Sequence, residues 1–186
     1  MSSANQVTPQ PSCDDPYDPA LLSVDGALKR IAETVSPISD VEVVALRQAL
    51  DRVLAADVHS PIEVPNHTNS AMDGYALRFA DLAKMPLQVI GTAWAGRAFN
   101  GSVGPGESVR IMTGAVLPDG ADTVVMQEHV ERDDDLIRVA GGQREGQHVR
   151  HAGEDLARGG TALGAGRRLL AADIGMVASL GVSELP

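Results

Sequence analysis

Three stretches of this chain place reactive side chains close together. The first is Asn66-His67-Thr68-Asn69-Ser70-Ala71-Met72-Asp73-Gly74-Tyr75-Ala76-Leu77. Small and polar residues there surround a single carboxylate. Pro65 stiffens the entry, and Asn66, Thr68, Asn69 and Ser70 can all hydrogen-bond nearby backbone, which predicts an ordered loop. Gly74 permits a sharp turn or a close approach directly after Asp73. Asp73 is thus offered at the rim of a turn, with Ser70 and Asn69 near enough to orient it. A second reading stands beside this one: many Asp-Gly pairs are turns and nothing more.

The second stretch, Arg110-Ile111-Met112-Thr113-Gly114-Ala115, leads into Pro118-Asp119-Gly120 and Val124-Val125-Met126-Gln127-Glu128. A strand running into Thr-Gly offers a hydroxyl and backbone N–H groups, which suits an anion such as phosphate. An ordinary hairpin explains the same residues, and the nucleoside-triphosphate P-loop pattern is not met. The third stretch is Gln147-His148-Val149-Arg150-His151-Ala152-Gly153-Glu154-Asp155. Arg150 beside Glu154 and Asp155 suits a phosphate together with a hydrated cation. His148, His151, Glu154 and Asp155 admit a zinc reading, but their spacing is loose and no cysteine supports it.

The elements that must hold these stretches can be read from patterning. Ser23 is a good N-cap for a helix to Val35, with Val24, Leu28, Ile31 and Val35 on one face and Asp25 placed to pair with Lys29. Ser36-Pro37 ends it. Glu42–Leu46 reads as a strand, Arg47–Ala55 as a second helix and Ala56–His59 as a strand. Residues 88–91, 107–112, 122–130 and 136–140 read as short strands separated by Gly, Pro and Asp clusters, a compact and mainly antiparallel β domain. Asp133-Asp134-Asp135 fits a solvated hairpin turn. A last helix starts near Ala171, with Gly181 capping its end. Met1–Ala20 is polar and proline-rich and is expected to be disordered.

Composition narrows the function classes. The apolar fraction of 44% is enough for a packed core, while an aromatic fraction of 3% makes that core aliphatic and leaves few stacking platforms for single-stranded nucleic acid. A net charge of −10 argues against a phosphate-backbone binder, which needs a basic face. Cys13 has no intrachain partner, which fits a reducing compartment. No apolar run is long enough to span a bilayer and no secretory pattern opens the chain. The expectation is a soluble, cytoplasmic protein with no nucleic-acid or membrane partner.

Asn69-Ser70-Ala71-Met72-Asp73-Gly74-Tyr75-Ala76 resembles the signature of the molybdopterin molybdenumtransferase family, the MoeA family that includes the gephyrin E-domain. The second and third stretches are similar to two further blocks of that family, in order and spacing, although His151 and Ala152 stand where arginines are usual. The resemblance runs from about Leu21 to Pro186 and covers the N-terminal part of the family's architecture. It implies an α+β, mainly β fold: an irregular bifurcated β-sheet domain with helices plus an inserted compact β domain. Residues 21–36 would form a helix that packs on a pterin-binding domain, residues 37–64 and 156–186 an elongated, discontinuous dimerisation domain, and residues 65–155 the inserted domain carrying the cleft loops.

The same resemblance implies transfer of molybdate to adenylylated molybdopterin with release of AMP, assisted by Mg²⁺. It gives catalytic roles to Asp73, Thr113 and Asp155, substrate-binding roles to Ser70, Met72, Gly114, Arg150 and Glu154, and metal contacts to Asp73 and Asp155. It further implies a homodimer of the full-length protein and a molybdopterin-adenylylating protein as a partner. The 186 residues alone are expected to be inactive. Three readings remain open from sequence: part of such an enzyme, a non-catalytic dimerisation or regulatory module related to it, or an α+β domain with some other ligand.

Overall fold

The structure is a computed structural model that describes residues 22–186. The polar stretch Met1–Ala20, with Cys13, lies outside the described residues. The chain divides into two compact units, Met1–Val41 and Glu42–Pro186.

In the first unit, helix α1 spans Val24–Thr34. Ser23 Oγ accepts the Gly26 N–H at 3.1 Å, the cap expected from sequence. The i,i+4 pair on its polar face is Lys29–Glu33 at 4.0 Å rather than Asp25–Lys29. No residue of α1 is buried, and Val24, Leu28, Ile31 and Val35 are each more than half exposed. A helix this short draws its stability from packing of its apolar face, so the stripe marks a surface that the described residues of its own unit leave uncovered.

The second unit contains β1 (Val44–Ala45), β2 (Val58–His59), β3 (Asn69–Ser70), β4 (Gly74–Leu77), β5 (Leu87–Ala93), β6 (Glu107–Ile111), β7 (Thr123–Met126), β8 (Val130–Asp133), β9 (Leu136–Val139), β10 (Val149–Arg150), β11 (Thr161–Leu163), α2 (Ala171–Ser179) and β12 (Glu184–Leu185). Three 3-10 turns, Leu46–Gln48, Phe79–Lys84 and Gln127–His129, complete it. The fold is α+β and mainly β, as the sequence indicated.

The main sheet has six strands in the order β7-β4-β6-β5-β9-β8, and only the β5–β6 pair is parallel. Strand alternation sends its side chains into two cores. Ala76, Val109, Ile111 and Val124 pack on one face, with Ala93 and Val103. Tyr75, Leu77, Leu87, Val125 and Ile137 pack on the other. Strand β5 serves both faces because its register with β6 shifts between Val89 and Thr92. The extra residue moves Leu87 and Ala93, an even number of positions apart, to opposite sides.

A third core joins early and late segments. β1 pairs with β12 and β2 with β11, and Val53 bridges Arg168. Leu54, Val58, Leu163, Leu169, Val177 and Leu185 fill it. The expected helix at Arg47–Ala55 does not form beyond the single turn Leu46–Gln48. Asp51 takes a left-handed φ of 65°, which stops helix propagation. The backbone instead bonds across the chain, with Asp51 N–H to the Leu169 carbonyl and Leu54 N–H to the Arg167 carbonyl, both at 2.9 Å. Helix α2 begins where predicted, and Asp173 in its first turn accepts the Leu170 N–H and pairs with Arg167 at 2.9 Å. Among the described residues no helix is long and apolar enough to cross a membrane.

Gly74 sets how closely β4 and β7 approach. A Cβ on it would lie 2.0 Å from the Val125 carbonyl oxygen, so the two strands pack together only with glycine there. Gly74→Ala is therefore expected to destabilise the fold by roughly 1–3 kcal/mol through overpacking. Gly175→Ala, in α2 where the added carbon meets nothing within 4 Å beyond its chain neighbours and the helix's own backbone, is expected to stabilise it by up to about 1 kcal/mol. Urea unfolding of both variants reads the contrast, and equal stabilities would contradict it.

Candidate functional site

The three reactive stretches meet around the segment 64–73. On one side, Gly114 N–H donates to the Ser70 carbonyl at 2.8 Å, Ser70 N–H to Ala115 at 3.0 Å and Leu117 N–H to Thr68 at 3.0 Å. On the other, β10 pairs antiparallel with β3, setting Val149 opposite Ser70 and Arg150 opposite Asn69. Ala71 N–H also donates to the His148 carbonyl at 2.9 Å, and Gly153 N–H to Pro65 at 2.9 Å. The first stretch is thus the middle member of a three-stranded loop array, with Thr113 and Arg150 on opposite flanks.

Asp73 is exposed and held by one residue far along the chain. Its Oδ1 accepts both the Thr113 N–H and the Thr113 hydroxyl, each at 2.7 Å. These two bonds, backbone first and hydroxyl second, hold its pKa below the usual carboxylate range, and the Arg110 charge adds in the same direction. The structure differs from the sequence expectation at this loop. The N–H groups of Thr113, Gly114 and Ala115 are all used, by the Asp73 carboxylate, the Ser70 carbonyl and the Met112 carbonyl. The anion that the Thr-Gly loop holds is the protein's own carboxylate. Gly114 adopts a φ of +77°, which brings its N–H to Ser70 at little conformational cost.

Ser70 is buried, and its hydroxyl closes a local turn: it donates to the Met72 carbonyl at 2.6 Å and accepts the Met72 N–H at 3.2 Å. Met72 is half-buried between Ser70 and Asp73. Arg150 gathers both acids of the third stretch, with Nη2 2.5 Å from Asp155 Oδ1 and Nε 3.4 Å from Glu154 Oε1. Asp155 above all, and then Glu154, raise the Arg150 pKa. Glu154 Oε2 also accepts the His151 N–H at 3.0 Å, so an acid folds back over the His151 backbone. Asp155 is tied to the central segment by its N–H bond to the Val64 carbonyl at 2.9 Å. Asp73 and Asp155 have different hydrogen-bond partners, Thr113 and Arg150. Among the described residues no group of three or more His, Cys, Asp and Glu side chains is placed to hold a metal.

The sequence reading gave no role to Arg110 or Gln127. Arg110 Nη1 donates to the Gly74 carbonyl at 2.8 Å, Nη2 to Gln127 Oε1, and the guanidinium lies 5.2 Å from the centroid of the Tyr75 ring. The available signal was a charge in mid-strand: Arg110 interrupts an otherwise apolar run, Val109-Arg110-Ile111, that enters the Thr-Gly loop.

Comparison with known proteins settles the family. The profile described as the MoeA N-terminal region (domain I and II) matches residues 22–181. This chain belongs to the MoeA N-terminal region family. It is 38% identical over 167 residues to the molybdopterin molybdenumtransferase of Haemophilus influenzae, a match covering 89% of this chain and 41% of that one. It is 35% identical over 174 residues to the molybdopterin molybdenumtransferase of Synechococcus elongatus, covering 89% and 43%. The crystal structure of the molybdopterin biosynthesis moeA protein from Pyrococcus horikoshii OT3 superposes with a TM-score of 0.79 at 34% identity, covering 86% of this chain and 44% of that one. This MoeA-family chain therefore spans about two-fifths of the length of the curated relatives it matches.

The Asp73–Thr113 pair gives a testable pH signature. A carboxylate whose folded pKa lies below its unfolded value stabilises the fold above the ordinary carboxylate range, and that contribution fades as pH falls through the depressed folded value. Solvent screening keeps the contribution small for a group this exposed, so the titration itself is the better readout. Thr113→Val removes the hydroxyl bond and keeps the backbone N–H. The Asp73 carboxyl signal in NMR is expected to titrate below the usual range in the parent protein and to move part of the way back in this variant. An Asp73 midpoint that ignores the substitution would contradict the geometry.

Proposed function

We propose that this chain supplies one wall of the molybdenum-insertion site of a molybdopterin molybdenumtransferase, in which molybdate is transferred to adenylylated molybdopterin and AMP leaves. The observation that carries the reading is the Asp73 carboxylate, fixed by both donors of Thr113 at the junction of the three stretches that resemble the family's cleft. The names of the relatives support the chemistry. In this reading the chain acts by holding groups in place and setting charge where phosphate and molybdate meet.

Asp73, Thr113 and Asp155 are the catalytic group. Asp73 keeps Oδ2 outside the Thr113 bonds, and Thr113 holds that carboxylate ionised and in one orientation. Arg150 and Glu154, with Gly114, Ser70 and Met72, shape the surface on which the substrate phosphates rest. Ser70 does so by fixing the Met72–Asp73 backbone, since its hydroxyl is engaged in its own turn.

The donors present also bear on Mg²⁺. They build no all-protein cage. Mg²⁺ commonly keeps several waters and takes one or two carboxylates plus substrate phosphate, and Asp73 and Asp155 fit that role. Bound there, the ion would neutralise phosphate charge. Such an ion would also suit the charge of the wall. Asp73, Glu154 and Asp155 outnumber Arg110 and Arg150, so an oxyanion approaching this surface meets net negative charge. In the full-length protein we place the remaining cleft wall on the pterin-binding domain of a second subunit, with residues 37–64 and 156–186 contributing the dimer surface, the α1 stripe packing on that larger domain, and a molybdopterin-adenylylating protein delivering substrate.

The test is made in the full-length protein. Asp73→Asn and Asp155→Asn are each expected to slow AMP release by roughly 100-fold, the scale of losing one preorganised electrostatic contact, with the melting temperature unchanged because both carboxylates are exposed loop groups. The 186 residues alone are expected to release no AMP. Variants that melt many degrees lower, or that turn over at the parent rate, would contradict the assignment.

A further inference from the structure

Asp73 is fixed at its carboxylate by Thr113, but a carboxylate is only as well placed as the backbone that carries it. That backbone is held by a closed ring of contacts. Arg110 Nη1 donates to the Gly74 carbonyl at 2.8 Å, immediately after Asp73. Arg110 Nη2 donates to Gln127 Oε1. The Gln127 N–H in turn donates to the Asp73 carbonyl itself at 3.1 Å. The ring closes over the Tyr75 face, against which the guanidinium is stacked at 5.2 Å.

The strand order explains why one residue can do this. β4 lies between β6 and β7, with Tyr75 opposite Arg110 on one side and opposite Val125 on the other. From β6, Arg110 reaches across β4 to the first residue beyond β7. The same strand then runs three residues on to Thr113, the partner of the carboxylate. The segment Arg110–Thr113 therefore holds the Asp73 carboxylate directly, through Thr113, and its main chain indirectly, through the Arg110 bonds to Gly74 and Gln127.

We infer that Arg110 is a positioning residue for Asp73: its forked guanidinium, acting directly on the Gly74 carbonyl and through Gln127 on the Asp73 carbonyl, holds the two peptides that follow Asp73 and so sets the carboxylate against Thr113. The role needs two donors at a fixed angle and a flat face for Tyr75, which a lysine ammonium does not provide although it keeps the charge. Arg110 makes no ion pair with Asp73, so the device works through geometry first and charge second. The other charged group that this network reaches is Glu128, which accepts from Gln127 Nε2 at 3.2 Å. The relevance of the clamp to catalysis rests on the proposed molybdenum-insertion function.

The experiment uses Arg110→Lys, read on the Asp73 carboxyl and the Thr113 amide by NMR in this chain. Both signals report the Asp73–Thr113 bond without any activity measurement. With charge retained and the fork lost, the Asp73 carboxyl and Thr113 amide resonances are both expected to shift from their parental positions at neutral pH. A folded Arg110→Lys protein in which both signals match the parent would overturn the inference, since charge or general fold support would then suffice. Should Arg110→Lys not fold, Gln127→Ala decides, because it opens the ring and leaves Arg110 in place: the same signals are expected to move in the same direction by less, and no movement would overturn the inference. In the full-length protein Arg110→Lys is expected to lower kcat by about 10–100-fold with KM little changed, the effect of misplacing a catalytic group. A displaced Asp73 with parental turnover would leave the clamp standing and count against the catalytic role of Asp73, which Asp73→Asn tests separately.

Discussion

One carboxylate oxygen accepting two hydrogen bonds from a single threonine is the constraint on which this site depends. Asp73 and Thr113 are 40 residues apart, and nothing local would bring them together. The bond forms because β4 and β6 are antiparallel neighbours, with Gly74 opposite Ile111, so that the residue preceding one strand faces the loop leaving the other. On its other side β4 approaches β7 so closely that only glycine fits at position 74: a side chain there would meet the Val125 carbonyl and push β7 away from β4. A glycine with no chemistry of its own thus sets the packing of the strand that follows Asp73.

The second consequence concerns charge. The Thr-Gly loop would bind an external anion if its N–H groups were open, but each is used internally. Arg150 would do the same if it were alone, but Asp155 and Glu154 both close on it. The arrangement is self-compensated on both flanks of the central segment. Exchanging an internal carboxylate for a substrate phosphate would expose charge in a surface already net negative. A mobile counter-cation would lower that cost, which is the physical reason for proposing Mg²⁺ at this wall and for expecting little phosphate affinity from the protein alone.

Much of the scaffold was legible in the sequence. The Ser23 cap and the 3.6-residue apolar period marked α1, and β-branched runs marked β5, β6 and β9. The segment 47–55 misled because Ala49, Leu50, Val53 and Leu54 fall at helical spacing, yet only Ala49 and Leu54 bury. The segment is held instead by pairing with residues 167–169, an interaction between distant stretches that no local pattern reports. Strand β4 was unread for a related reason. Gly-Tyr-Ala-Leu is short, has no β-branched residue and is buried on both faces, so alternation gives no signal. At the site, motif resemblance picked out Asp73, Thr113 and Arg150 with its two acids. The direction of each hydrogen bond was not legible, and neither was the clamp formed by Arg110 and Gln127, because both depend on strand order.

The central claim is that Asp73 and Thr113 act as one unit. A double-substitution cycle of Asp73→Asn and Thr113→Val on the insertion rate of the full-length protein tests it most directly. Residues that act as a unit are strongly non-additive, so the double variant is expected to be no slower than the slower of the two single variants. Rate losses that multiply, so that the double variant is slower by the product of the single effects, would show that the two residues act independently and would contradict the account.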